Sequence, residues 1–217
     1  MKVKKTLTEQ MARIGLAING TLDNPVILSK TSLFGYTEEV IREGLSKHNT
    51  TQTAIFAHQK EYGEQYTAYE TQGNLWSKSY ETYKNILVLC RVGLKNKPGA
   101  LHSLRAAGTR NRSLTGFIKD ARMLYNNLLS QPEYLNIMTK YCVSAELLNT
   151  ANAEIDALEK ASQSYFKEKG EAQDMTIKRD QLFDDLYNWY SDFRAVLRLA
   201  LTDSPQLLEE LGIVVKR

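Results

Sequence analysis

From Thr37 to Lys97, and again from Ser144 to Ser204, the chain contains no proline. Through the first of these stretches a ladder of mostly apolar and aromatic residues rises in alternating steps of four and three. Its members are Ile41, Leu45, His48, Gln52, Ile55, Gln59, Tyr62, Tyr66, Tyr69, Gly73, Trp76, Tyr80, Tyr83, Leu87, Cys90 and Leu94. A 3.5-residue period sustained over this length specifies a long helix packed along its neighbours, in the manner of a coiled coil. At 1.5 Å per residue such a helix reaches roughly 85–90 Å. Thr37 and Ser144 suit its N-cap, and Glu38, Glu39 and Glu146 follow in first turns where the helix dipole favours acids. The alternative is a hairpin of two arms of about 25–30 residues, turning at KEYGEQ and KEKGEA around Gly63 and Gly170. Glycine is the usual helix terminator. The ladder keeps its phase through Gly63 and no turn formers flank it, so the continuous helix is the expectation.

The two proline-free stretches belong to a wider recurrence. Arg91, Leu94, Pro98, Leu101 and Leu104 return 107 positions later as Arg198, Leu201, Pro205, Leu208 and Leu211. The same offset pairs Leu7-Thr8 with Leu114-Thr115, Pro25 with Pro132, Lys60-Glu61 with Lys167-Glu168, and Gly63-Glu64 with Gly170-Glu171. It also pairs Tyr80 with Tyr187 and Tyr83 with Tyr190. About 20 identities align without a gap, and all four prolines form two pairs. The pattern is that of a tandem duplication, with residues 1–107 and 108–217 as copies of one helical unit packed together as one bundle domain.

Shorter elements flank each long helix. Thr6 and Glu9 form a capping-box pattern, followed by Leu7, Met11, Ile14 and Ile18 at helical spacing. Pro25 and Pro132 restart the chain, and Pro98 and Pro205 sit where a first-turn proline belongs. No strand-like alternation stands out. The expected fold is therefore all-α: an elongated bundle in which each unit has a short helix, a long helix and a short proline-initiated helix. On this reading the recurring arginine complements the carbonyl end of the long helix, with a ligand at that arginine as the alternative.

Composition narrows the function classes. A chain of 217 residues buries enough surface to need no metal or disulfide staple. The net charge of +3 makes no demand for a nucleic-acid partner. Cys90 and Cys142 do not correspond across the offset and read as reduced, buried core residues. The opening MKVKKTLTEQ has no apolar stretch behind its lysines, and no apolar run approaches the ~20 residues of a membrane span. The expected setting is cytoplasmic, with no membrane contact.

The usual catalytic constellations are missing from the sequence. There is no Glu-x-x-His pair, no CxxC, no GxSxG and no phosphate loop. His48, His58 and His102 all lie in the first copy and face Ile155, Tyr165 and Glu209 across the offset, so they specify no symmetric metal site. No catalytic, cofactor or metal residue is expected. Two features remain. The linker RAAGTRNRSLTG carries Arg105, Arg110 and Arg112, the most favourable anion or nucleic-acid contact in the chain. Twelve tyrosines include Tyr62, Tyr66 and Tyr69, which suit either a core with a wet edge or a partner surface.

The ending DFRAVLRLALTDSPQLLEELGI, the opening KKTLTEQMARIGLAI and the stretches YTEEVIREG and KEYGEQ resemble a group of uncharacterised, duplicated, all-helical bacterial proteins met mainly in Bacteroidota. The resemblance covers most of the chain. It implies a helical bacterial protein and carries no activity or functional residue with it. The functional expectation is a non-enzymatic helical scaffold or protein-interaction protein that binds another protein or itself. The alternative is a nucleic-acid-associated protein using the 105–112 linker, with nucleic acid the less favoured partner.

Overall fold

The structure is a computed structural model that describes residues 6–214. Residues 1–5, part of the opening weighed for a targeting signal, lie outside it. The described residues form eight helices: α1 (Leu7–Asp23), α2 (Pro25–Ser32), α3 (Glu38–Gly93), α4 (Pro98–Ser103), α5 (Leu114–Ser130), α6 (Pro132–Thr139), α7 (Ala145–Ala200) and α8 (Pro205–Glu210). No strand occurs among them, so the fold is all-α. Helix lengths run 17, 8, 56 and 6 residues, then 17, 8, 56 and 6 again.

Local chemistry sets the boundaries. Thr6 accepts from the Glu9 amide while the Glu9 carboxylate accepts from the Thr6 amide, which completes the capping box. The hydroxyls of Thr37 and Ser144 accept from the Val40 and Leu147 amides at the starts of α3 and α7. Each proline opens a helix, at α2, α4, α6 and α8, where its missing N–H would have had no partner. The long helices pass through Gly63 and Gly170 without interruption. Glycine breaks a helix when an alternative turn is stabilised; here nothing lies within 4 Å of where either Cβ would stand, and the flanking residues continue the helical hydrogen bonding.

Four helices end alike. Gly35 and Gly212 have φ of 85° and 67°, while Cys142 and Arg105, 107 positions away from them, have φ of 61° and 53°. In each case that residue's amide donates back three residues and the next amide donates back five. Cys142 N–H reaches the Thr139 carbonyl and Val143 N–H that of Met138. Arg105 N–H reaches His102 and Ala106 N–H reaches Leu101. This is the Schellman arrangement, in which glycine is preferred because a Cβ is strained in the left-handed region.

The chain forms two compact units, Met1–Tyr62 with Glu171–Arg217, and Gly63–Gly170. They do not coincide with the sequence copies, because their borders fall inside α3 and α7. The first unit's core joins Met11, Ile14 and Ile18 of α1 and Ile27 of α2 to Leu186, Phe193 and Leu197 of α7 and to Leu201 just after it, closed by Leu208 and Leu211. The second joins Tyr83, Leu87 and Cys90 of α3, and Leu94 just after it, to Phe117, Leu124 and Leu128 of α5, Met138 of α6, and Leu148, Ile155 and Leu158 of α7. Within the first unit α3 and α7 run antiparallel, with Thr51 donating to the Leu182 carbonyl at 3.2 Å. Within the second they do so again, with Thr82 donating to Glu154 at 3.0 Å.

Two sequence expectations need correction. The heptad ladder holds at its ends, where Ile41, Tyr83, Leu87, Cys90 and Leu94 are buried. Between them the inward face is one residue earlier: Thr51, Ala54 and His58, then Gln65, Ala68, Gln72, Leu75 and Ser79 are buried or half-buried, while Tyr62, Tyr66, Tyr69 and Gly73 are exposed. Near its ends α3 faces a core shared by several helices. Further in it turns its small and polar residues towards α7, and the wanted face rotates by one position. The second correction is Cys142, which is exposed; only Cys90 is buried, and burial pushes its thiol up to about 12.

Glycine substitutions separate these effects. Gly63→Ala and Gly170→Ala should each raise thermal stability by about 0.4–1 kcal/mol, since both sites are helical and open. Cys142→Gly should add about 1 kcal/mol by relieving the left-handed strain. Gly44→Ala should cost about 1–3 kcal/mol, because its Cβ would stand 2.0 Å from the Trp189 ring. Denaturant melts of the four variants check all of this, and a destabilised Gly63→Ala would mean that the helix is not continuous there.

Candidate functional site

Along α3, the tyrosines displaced from the inward face are Tyr62 in the first unit and, in the second, Tyr66 and Tyr69, which form a short aromatic stripe. Tyr62, Tyr66 and Tyr69 are 59–61% exposed. In the second unit Tyr69 leans on Tyr165 of α7, ring centroids 5.7 Å apart, and Tyr165 on Phe166, which is itself 64% exposed. In the first unit Tyr62 stacks on His58. The positions 107 residues on from Tyr62, Tyr66 and Tyr69 are Lys169, Gln173 and Thr176. The corresponding stretch of α7 thus folds with polar residues at the same helical positions, so the aromatic stripe is not a requirement of the helix.

Further along α3, also in the second unit, a cleft of about 790 Å³ opens between Trp76, Tyr80, Arg91, the linker from Gly108 to Arg112, and Phe117 of α5. Tyr80 packs on Phe117 at 5.6 Å. Arg91, in the last turn of α3, is held by its Nε donating to the Ala106 carbonyl at 2.8 Å. Arg110 and Arg112 enter from the linker just after left-handed Gly108. The structure therefore brings two of the three expected linker arginines together and adds Arg91, for which the sequence favoured a helix-end role with a ligand as the alternative.

Arg105 is separated from them. Its Nε lies 3.7 Å from Oδ1 of Asp120, a buried carboxylate whose Oδ2 accepts from the Asn111 side chain at 3.1 Å and the Asn111 amide at 3.4 Å. Arg105 and Asn111 thus tie the linker back to α5. Burial, and then Asp120, push the Tyr83 phenol above its usual range, with Arg110 and Arg91 pulling the other way. Tyr83 is therefore a neutral phenol at physiological pH.

The first unit has a cleft at the equivalent place, about 420 Å³ in volume, lined by Gln10, Arg13 and Ile14 of α1, Tyr187, Tyr190, Arg194 and Arg198 of α7, and Ile213 and Val214. Tyr187 and Arg198 stand 107 residues after Tyr80 and Arg91. Among the described residues both linings present guanidinium groups, phenols and apolar surface without a carboxylate. This chemistry suits recognition of anions and aromatic groups.

Comparison with protein-family models, with curated proteins and with solved structures finds no match to this chain. No helix among the described residues is long and apolar enough to cross a membrane.

His58, beside the stripe, offers a pH test. Arg179 Nη1 lies 3.1 Å from its Nε2 and 3.3 Å from its Nδ1, while Nη2 of the same guanidinium is fixed on Asp180 at 2.7 Å. Burial, then Arg179, hold His58 below its usual value, with Asp180 opposing. A lowered folded value means that the unfolded chain takes up the proton first. Stability present above about pH 6.5 is then lost as pH falls towards the folded value. The melting temperature should drop more steeply from pH 7.5 to 5.5 in the wild type than in His58→Gln; equal slopes would refute the assignment.

Proposed function

We propose that the protein is a non-enzymatic helical scaffold or protein-interaction protein, a tandem duplication of a 107-residue unit whose working surface is the aromatic stripe of α3. The observation that carries this reading is the exposure of Tyr66, Tyr69 and Phe166 on helices whose fold does not need them there, given Gln173 and Thr176 at the counterpart positions. Large exposed aromatics at helical spacing mark binding surfaces, because a partner recovers the burial that the free chain forgoes. Steps of four and three suit an amphipathic helix as the partner, from a second copy or from another protein. The bacterial origin implied by the sequence resemblance and the cytoplasmic setting expected from the chain's apolar pattern belong to the same proposal.

Photo-crosslinking from position 66 tests it, with position 173 as the matched control. A crosslink to a second copy or to a distinct protein at position 66, lost on Tyr69→Gln, is the expected result. Equal labelling from both positions, with a strictly monomeric protein in light scattering, would remove the reading.

A second reading is favoured by the grouping of Arg91, Arg110 and Arg112 with Trp76, Tyr80 and Phe117, since stacking faces plus cations suit single-stranded nucleic acid. Three phosphate contacts would give a slope of roughly −2 in log affinity against log salt, and Arg112→Ala would flatten it by about 0.7. No binding of a single-stranded oligonucleotide at low salt excludes this reading.

A further inference from the structure

Arg194 and Arg198 are one turn apart on α7 and open into the same first-unit cleft as Arg13 of α1. Like charges at this spacing repel each other, and among the described residues the cleft lining holds no acid. Among the described residues none of the three guanidiniums has an ion-pair partner.

Two of the three are nonetheless held in place. Arg13 Nη2 donates to the Gly212 carbonyl at 2.8 Å. The Arg194 guanidinium carbon lies 5.8 Å above the Tyr190 ring. All three charges act on the Tyr190 phenol, pulling it down against the burial that raises it. They line one cleft with Tyr190, and Ile14, Ile213 and Val214 add apolar surface beside them.

The comparison with the second unit separates structural from spare arginines. There Arg91 secures the chain after α4 through the Ala106 carbonyl. In the first unit the chain after α8 is secured by Arg13 instead, which leaves Arg198, the counterpart of Arg91, without that task. At the other two positions the second unit carries Leu87 in place of Arg194 and Asp120 in place of Arg13. Arg13 and Arg194 are thus cations that the fold does not demand at these positions, whereas the second-unit cleft draws its arginines besides Arg91 from the linker.

We propose that the first-unit cleft is a binding site for a small aromatic phosphomonoester, with Arg13, Arg194 and Arg198 gripping the phosphoryl oxygens and the rings of Tyr187 and Tyr190 facing the organic part. A doubly charged phosphate with three terminal oxygens matches several guanidinium forks, where a monocarboxylate would engage one. The volume is that of a small-molecule site.

Isothermal titration with phenyl phosphate, inorganic phosphate and benzoate tests the site on the full chain. Phenyl phosphate should bind saturably, tighter than inorganic phosphate, with benzoate the weakest. Arg194→Gln and Arg198→Gln should each weaken it about tenfold or more, while Arg42→Gln, an exposed cation on α3, should leave it unchanged. In phosphate-free buffer both cleft variants should melt no lower than the wild type, since each relieves repulsion. No saturable binding, binding indifferent to both cleft substitutions, or cleft variants whose loss of binding accompanies a lower melting temperature would each overturn the proposal.

Discussion

Neither long helix buries its apolar residues against partners from its own half of the chain alone. The core around Phe193 and Leu197 of α7 is completed by Ile14 and Ile18 of α1 and Ile41 of α3, and the core around Leu87 and Cys90 of α3 by Leu148, Ile155 and Leu158 of α7. Each compact unit therefore takes a stretch of both long helices. The strong apolar residues are concentrated towards the helix ends. In between, burial rests on Ala54, Ala68, Gln72, Ser79 and Ala172, residues that release little transfer free energy on burial. Continuity there is carried by the helical hydrogen-bond ladder and by small side chains that admit close approach, which places the central turns among the less stable parts of each helix.

Much of the architecture was legible because short-range chemistry decides it. Prolines cannot lie inside a helix, so Pro25, Pro98, Pro132 and Pro205 marked four helix starts, and hydroxyl residues before acidic first turns marked α1, α3 and α7. The face of α3 was not legible between Thr51 and Ser79. Two adjacent ladders, one aromatic and one of small and polar residues, both step by four and three. Hydrophobicity selects the aromatic one, whereas the structure buries the other, because the direction of the neighbouring helix and the space between them are tertiary facts. The same limit applied to the candidate sites. Arg110 and Arg112 were visible as linker cations, but Arg91 looked like a helix-terminal charge and Arg105 like its linker neighbours. Only the positions of Ala106 and Asp120 distinguish them.

The 107-residue recurrence acts as an internal control, showing which residues a given geometry needs. Left-handed termini hold glycine at positions 35 and 212 and tolerate Cys142 and Arg105 at the counterparts, so the Schellman hydrogen bonds outweigh a strain of about 1–2 kcal/mol. Gly44 accommodates the Trp189 ring, and the matching positions carry Ala151 and Thr82, so volume moved from one helix is taken up on the other. Arg13 and Asp120 make the sharpest exchange, a cation for an anion at one site in the fold.

That exchange reverses the electrostatics of its surroundings. Asp120 draws in Arg105 and Asn111 and so spends one cation of the second unit on anchoring the linker. Arg13 contributes a further cation to a place that already has Arg194 and Arg198. A fold selected only for stability would favour the first arrangement, since an acid among arginines is attractive and a third arginine is repulsive. Clustered charge of one sign that the same architecture can avoid is characteristic of binding sites, where stability in the free state is given up for interaction with a ligand of opposite charge. The stripe on α3 follows the same logic in apolar terms. On α3 the recurrence supplies counterparts that the fold accepts without the exposed tyrosines, and at the first-unit cleft it supplies Leu87 and Asp120 where Arg194 and Arg13 stand, so these are the residues that stability alone does not explain.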